Sequence, residues 1–166
     1  MRGILVLLSA VAVFGMTAAV ASADSAKWHF ANATISSTGD LSVTFKETGL
    51  GTTVSTETVT ISADGSAEYQ CWNNGGKHPK AGNKETVSGP ISVPGTFPVR
   101  NGQVTGTVTA EALDVLGPGS FSCPSGQSMF LESVSYSNIA VDGQAGSFAA
   151  SPDELSAGPN LHILIS

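Results

Sequence analysis

The sequence predicts an all-β protein, an antiparallel sandwich of seven to eight short strands. Three observations lead there. Apolar residues alternate with polar ones at period two along much of the chain, and helical periodicity is absent. Hydroxyl-bearing residues and glycine are abundant, while charged residues are only 12% of the 166. Turn chemistry recurs at the spacing of short strands, with Ser36-Ser37-Thr38-Gly39-Asp40 and Arg100-Asn101-Gly102-Gln103 as the clearest cases.

The N-terminus precedes the domain. Met1-Arg2-Gly3, an apolar run from Ile4 to Val20 and Ala21-Ser22-Ala23 before Asp24 have the order of a removable export signal. Residues 1–23 are therefore read as a signal peptide and 24–166 as one domain of 143 residues, secreted after cleavage near Ala23/Asp24. Cleavage takes Arg2 from the seven cations, leaving six against thirteen carboxylates, a net charge of −7. That sign argues against nucleic acid as a partner. The closing Leu161–Ile165 segment is too short to span a bilayer, so the mature chain is expected to have no membrane span.

Trp28 to Ile35 reads as the first strand, with Trp28 and Phe30 on one side. Leu41, Val43 and Phe45 alternate with Ser42, Thr44 and Lys46 as a half-buried second strand. Val59, Ile61 and Ala63 form the next face. Asp64-Gly65 reads as a hairpin turn, after which Ala67, Tyr69 and Cys71 continue. Thr86 to Val93 is a weaker strand, assigned to a sheet edge by Pro90. Asn101-Gly102 marks a second hairpin. Beyond it Val104, Gly106, Val108 and Ala110 face inward and Gln103, Thr105, Thr107, Thr109 and Glu111 outward. Met129 to Val141 is a strand whose apolar parity slips between Tyr136 and Ile139, which predicts a bulge near Asn138. Ser151 to Asn160 is a loop, and Leu161 to Ile165 a closing strand.

Cys71 and Cys123 are the only cysteines. An even pair in an exported chain predicts one disulfide, and neither a Cys-x-x-Cys motif nor a histidine at ligand spacing suggests a metal. Tyr69-Gln70-Cys71 resembles the tyrosine corner of immunoglobulin domains. There, however, the cysteine pairs upstream, and here the only partner lies downstream, so the Ig-like likeness is one of architecture with Greek-key connections.

No Gly-x-Ser-x-Gly, His-Glu-x-x-His, Walker or EF-hand pattern occurs, and no cofactor is implied. His29, His78 and His162 are isolated in sequence. Glu57, Glu68, Glu85, Glu111 and Glu132 read as solvated strand residues before they read as a hydrolytic carboxylate pair. The segment that stands out is Cys71 to Lys84, which carries Lys77, Lys80 and Lys84, three of the six mature cations. Trp72, Asn73, Asn74, Lys77, His78 and Lys84 are the candidate contacts. A ring can stack on apolar sugar faces while amides and ammonium groups hydrogen-bond hydroxyls or anions. The same composition also describes a plain solvated loop with Trp72 capping the core.

Cys71, Asn73, Gly75, Gly76 and Pro79, then Asn83-Lys84, Ser88-Gly89-Pro90, Asn101-Gly102-Gln103-Val104, Cys123-Pro124, Gly126-Gln127 and Val134-Ser135-Tyr136, make a pattern over residues 67–141. It resembles small exported two-cysteine proteins of actinobacteria, with some fungal relatives. The resemblance implies a secreted two-cysteine β-domain and no activity. The expectation is a secreted, non-catalytic binding or envelope-associated module whose partner is cell-wall or extracellular polysaccharide or another secreted protein. An extracellular hydrolase acting on polysaccharide, or an inhibitor or toxin acting on another secreted protein, is the alternative.

Overall fold

The computed structural model describes residues 25–73 and 83–165. The expected leader (residues 1–23), Asp24, residues 74–82 and Ser166 fall outside them. Nine strands are present among the described residues: β1 (Lys27–Ile35), β2 (Leu41–Thr48), β3 (Thr56–Asn73), β4 (Lys84–Pro98), β5 (Gln103–Ala110), β6 (Gln127–Gly143), β7 (Gly146–Ala149), β8 (Leu155–Ala157) and β9 (Ile163–Ile165). One helical turn, α1 (Ala112–Val115), precedes β6.

The strands form two antiparallel sheets, a smaller one in the order β1-β2-β5 and a larger one in the order β4-β3-β6-β7, where β8 and β9 also pair with β6. The chain is thus the all-β sandwich that alternation predicts. β5 returns beside β2 after the β3–β4 pair, a Greek-key connection. The two inner faces close over Leu41, Val43, Phe45, Val59, Ile61, Tyr69, Leu131, Ile139 and Val141, all buried. Alternation of these residues with Ser, Thr and Lys sets which face of each strand leaves water.

Several expectations are corrected. Asp64-Gly65 is no turn: β3 runs unbroken for 18 residues through it. A two-residue hairpin would place Ala63 and Ala67 on opposite faces, yet Val59, Ile61, Ala63, Ala67, Tyr69 and Cys71 share one parity and one buried face. Gly65 is there for room, because a Cβ on it would sit 2.6 Å from Ile91 Cδ1 and 2.9 Å from Leu116 Cδ1. Trp28 and Phe30 lie on opposite sides of their sheet. The register shifts between them, so that Trp28 pairs with Glu47, which is buried, and Phe30 with Lys46 on the outer face. Residues 151–160, expected as loop, contain β8, and β7 was not anticipated.

Other readings hold. Asn101 and Gly102 both adopt positive φ (52° and 69°) between Arg100 and Gln103, which bond each other. The turn is as expected, but the hairpin is not: β4 and β5 on either side of it belong to different sheets and do not pair, so it is a corner of the sandwich. Between Ser62 and Asp64 the β3–β6 register shifts by one residue opposite Asn138, whose φ is 54°. That is the bulge the slipped parity of β6 requires. β4 lies at a sheet edge with Pro90, Pro94 and Pro98 all exposed.

β3 and β6 are longer than the smaller sheet's strands, so one half of the larger sheet extends beyond it. The connection between β5 and β6 covers that half. Tyr69 Oη donates to Leu116 O (2.8 Å), and the Cys71–Cys123 disulfide joins β3 to the same connection. The Tyr69 bond reaches forward into this connection, so the tyrosine-corner likeness ends there. At the opposite turn, Asp40 Oδ1 accepts from Ala112 N–H (2.9 Å) and holds the start of α1.

Candidate functional site

Parity decides what the outer face of the larger sheet presents. The odd residues of β3 point inward, so Asp64, Ser66, Glu68, Gln70 and Trp72 point outward. On β6 the register pairs Trp72 with Ser128 and Gln70 with Phe130. A second register shift between Glu68 and Tyr69 leaves Glu132 as the additional residue, opposite no β3 partner. β9 follows with Leu164 opposite Phe130. Trp72, Phe130, His162 and Leu164 therefore meet at one end of this face.

Their geometry is organised by Glu132. Its Oε1 accepts from Trp72 Nε1–H (2.7 Å) and from His162 Nδ1 (3.1 Å). The carboxylate is only 5% exposed, whereas the His162 side chain is 44% exposed. The His162 ring stacks on Phe130 at 4.0 Å with planes 9° apart, and Trp72 meets His162 edge-on at 4.6 Å. A buried carboxylate accepting two N–H bonds has the partners its desolvation demands. With Glu132 as acceptor, Nδ1 carries the proton and Nε2 is left as the imidazole's other polar atom. Leu164 is 58% exposed beside this cluster.

Away from the aromatic end, the same face becomes a hydroxyl surface. Ser88, Ser66, Ser135 and Ser156 lie in one row across β4, β3, β6 and β8. Two shallow grooves of about 430 Å³ and 390 Å³ meet along it at Ser135 and Ser156. Glu68 lines the larger groove and pairs with Lys84 Nζ at 2.7 Å, between the serines and the aromatic cluster.

Of the sequence candidates, Trp72 is half-buried, Asn73 ends β3 exposed, and Lys84 begins β4 already paired to Glu68. Asn74, Lys77 and His78 lie outside the described residues. The structure brings Trp72 and Lys84 to one face and adds Phe130, Glu132, His162 and Leu164, which the sequence reading did not join to them. The parity of β6 and β9 was the available signal for Phe130 and Leu164. The contact with His162 had none, because it depends on a residue in the left-handed region (φ 53°) just before β9.

The carboxylates also depart from expectation. Glu57 and Glu132 are buried rather than solvated, and so is Glu47. Glu47 Oε1 accepts from Ala145 N–H (2.6 Å) and Glu57 Oε1 from Gln144 N–H (3.0 Å), so both hold the β6–β7 turn. Burial pushes the Glu47 carboxyl above the usual range. The Ala145 N–H opposes that rise, and the neighbouring Glu57 charge adds to it.

No protein-family model, curated protein or solved structure matches the chain. Among the described residues no helix is long and apolar enough to cross a membrane, and no three acidic, histidine or cysteine side chains group as metal ligands. The disulfide is compatible with an extracellular location.

Proposed function

We propose that this is a secreted, non-catalytic binding module that holds a polysaccharide chain along the outer face of its larger sheet. One observation carries the reading: an aromatic cluster fixed by a single buried carboxylate continues into grooves lined by serine hydroxyls. Sugars offer apolar ring faces and hydroxyl rims, and this surface offers a partner for each. Glu132 restrains Trp72 and His162 before any ligand arrives, which lowers the ordering cost of binding. The export-signal pattern and the disulfide support the extracellular setting, where cell-wall polymers are met.

Native affinity electrophoresis in gels containing xylan or hydroxyethyl cellulose tests this. The protein is expected to be retarded, and Trp72→Ala to weaken retardation about ten-fold, the scale of one lost aromatic contact. Unretarded migration in both gels, or a Trp72→Ala protein that binds as well as the parent, would reject it.

One observation favours a hydrolytic second reading. Glu132 orients His162 as the third member of a triad orients its base. No hydroxyl among the described residues bonds His162, so the nucleophile half of that arrangement is not assembled, and binding remains the better-supported reading.

A further inference from the structure

The remaining large groove lies at the other end of the molecule, on the smaller sheet. It measures about 720 Å³ and is lined by His29, Lys46, Thr48, Asn101 and Gln103 together with glycine backbone of two turns. Among the described residues no carboxylate and no Phe, Tyr or Trp side chain lines it. Thr48 holds His29 at its rim, Oγ1 to Nε2 at 2.9 Å. Lys27 pairs directly with Thr48, and Lys46 with Phe30, so the two lysines are diagonal neighbours on one face. That places them about 7–8 Å apart. Arg100 stands at the adjoining corner, bonded through its backbone to Gln103.

Half of the mature chain's six cations therefore gather here, in a protein of net negative charge. Among the described residues none of the three has a carboxylate within ion-pair range, whereas Lys84 is paired. The nearest acid in sequence, Glu47, turns its side chain into the core. Unpaired cations around an open groove raise the local concentration of anions.

We propose that this groove is a second binding site, separate from the aromatic end, and that its ligand is an anionic polysaccharide. Two lysines several ångströms apart suit a chain with repeated charges better than a lone ion. Thr48, Asn101 and Gln103 supply hydrogen bonds for the hydroxyls between those charges. His29 is the one ring among the described lining residues, and it is tied to Thr48, so the groove lacks the succession of stacking platforms by which single-stranded nucleic acid is gripped.

The test is retention of the purified protein on immobilised polygalacturonate, with neutral dextran and oligothymidylate as comparators. Polygalacturonate is expected to bind, with affinity falling steeply as salt shortens the screening length. Lys27→Ala/Lys46→Ala should bind about ten-fold or more weakly, while Lys27→Arg/Lys46→Arg retains binding and shows that charge is what is read. The proposal fails if polygalacturonate is not retained, if dextran binds equally, if the double alanine variant is unaffected, or if oligothymidylate binds more tightly.

Discussion

Glu47 continues the buried parity of Leu41, Val43 and Phe45, and Glu57 that of Val59 and Ile61. Alternation thus marks both glutamates as inward, although their chemistry suggests water. The structure keeps them because each accepts a backbone N–H of the β6–β7 turn, and Glu47 Oε2 is left buried without a partner. The pH consequence follows from burial raising the Glu47 carboxyl above its ordinary 4.5. The native state then holds a proton that the unfolded chain releases, so this group's contribution to stability falls as pH rises from about 4.5 through the folded-state value. Urea denaturation between pH 4 and 8 should show that decline, and Glu47→Gln should flatten it and raise the midpoint at pH 7. An unchanged slope in the variant would place the effect elsewhere. Asp40 acts in a lower window. Burial disfavours its charge, but the Thr38 hydroxyl, the Ala112 N–H and the Ser36 hydroxyl outweigh burial and hold it below 3.8. Its stabilisation is present above that value and lost in stronger acid.

At the scale of elements, Gly65 decides whether β3 is one strand or two. Its missing side chain lets Ile91 and Leu116 close over the middle of β3. Gly65→Val is predicted to destabilise the fold by about 1–3 kcal/mol through overpacking, measured as a lower thermal midpoint. An unchanged midpoint would contradict the close approach of Ile91 and Leu116 to Gly65. The disulfide belongs to this scale as well. With Cys71 and Cys123 52 positions apart, removing the bridge should cost about 4 kcal/mol in the chain-entropy model. Chemical denaturation of Cys71→Ser/Cys123→Ser measures it, and the amides of Leu116 to Gly126 should lose exchange protection first. Most of the strands were legible in the sequence because one buried face leaves a period-two record. The Asn138 bulge was legible too, as a slip in that record. What escaped had no local record. The Asp-Gly pair mimicked a turn, β7 and β8 are only four and three residues long, and the Glu132 cluster joins β3, β6 and the residue before β9. Trp72 and Lys84 could be nominated from composition, but their neighbours could not.

For the whole molecule, the question is how two sheets with open edges avoid joining other sheets. β4 carries Pro90, Pro94 and Pro98 at one parity while pairing with β3 through its other edge. These positions lack the N–H that an added strand would need, which blunts the edge. Pro90→Thr/Pro94→Thr should therefore promote self-association through β4, seen by light scattering as mass rising with concentration. A variant as monodisperse as the parent would mean that other features guard this edge. The larger sheet's outer face is a separate surface, and the account rests on what that face does. Backbone amide chemical-shift mapping during titration with xylo-oligosaccharide tests this most directly. The account predicts saturable shifts confined to Trp72, Phe130, Ser135, Ser156, His162 and their neighbours. Shifts that are absent, or that gather on the smaller sheet instead, would contradict it.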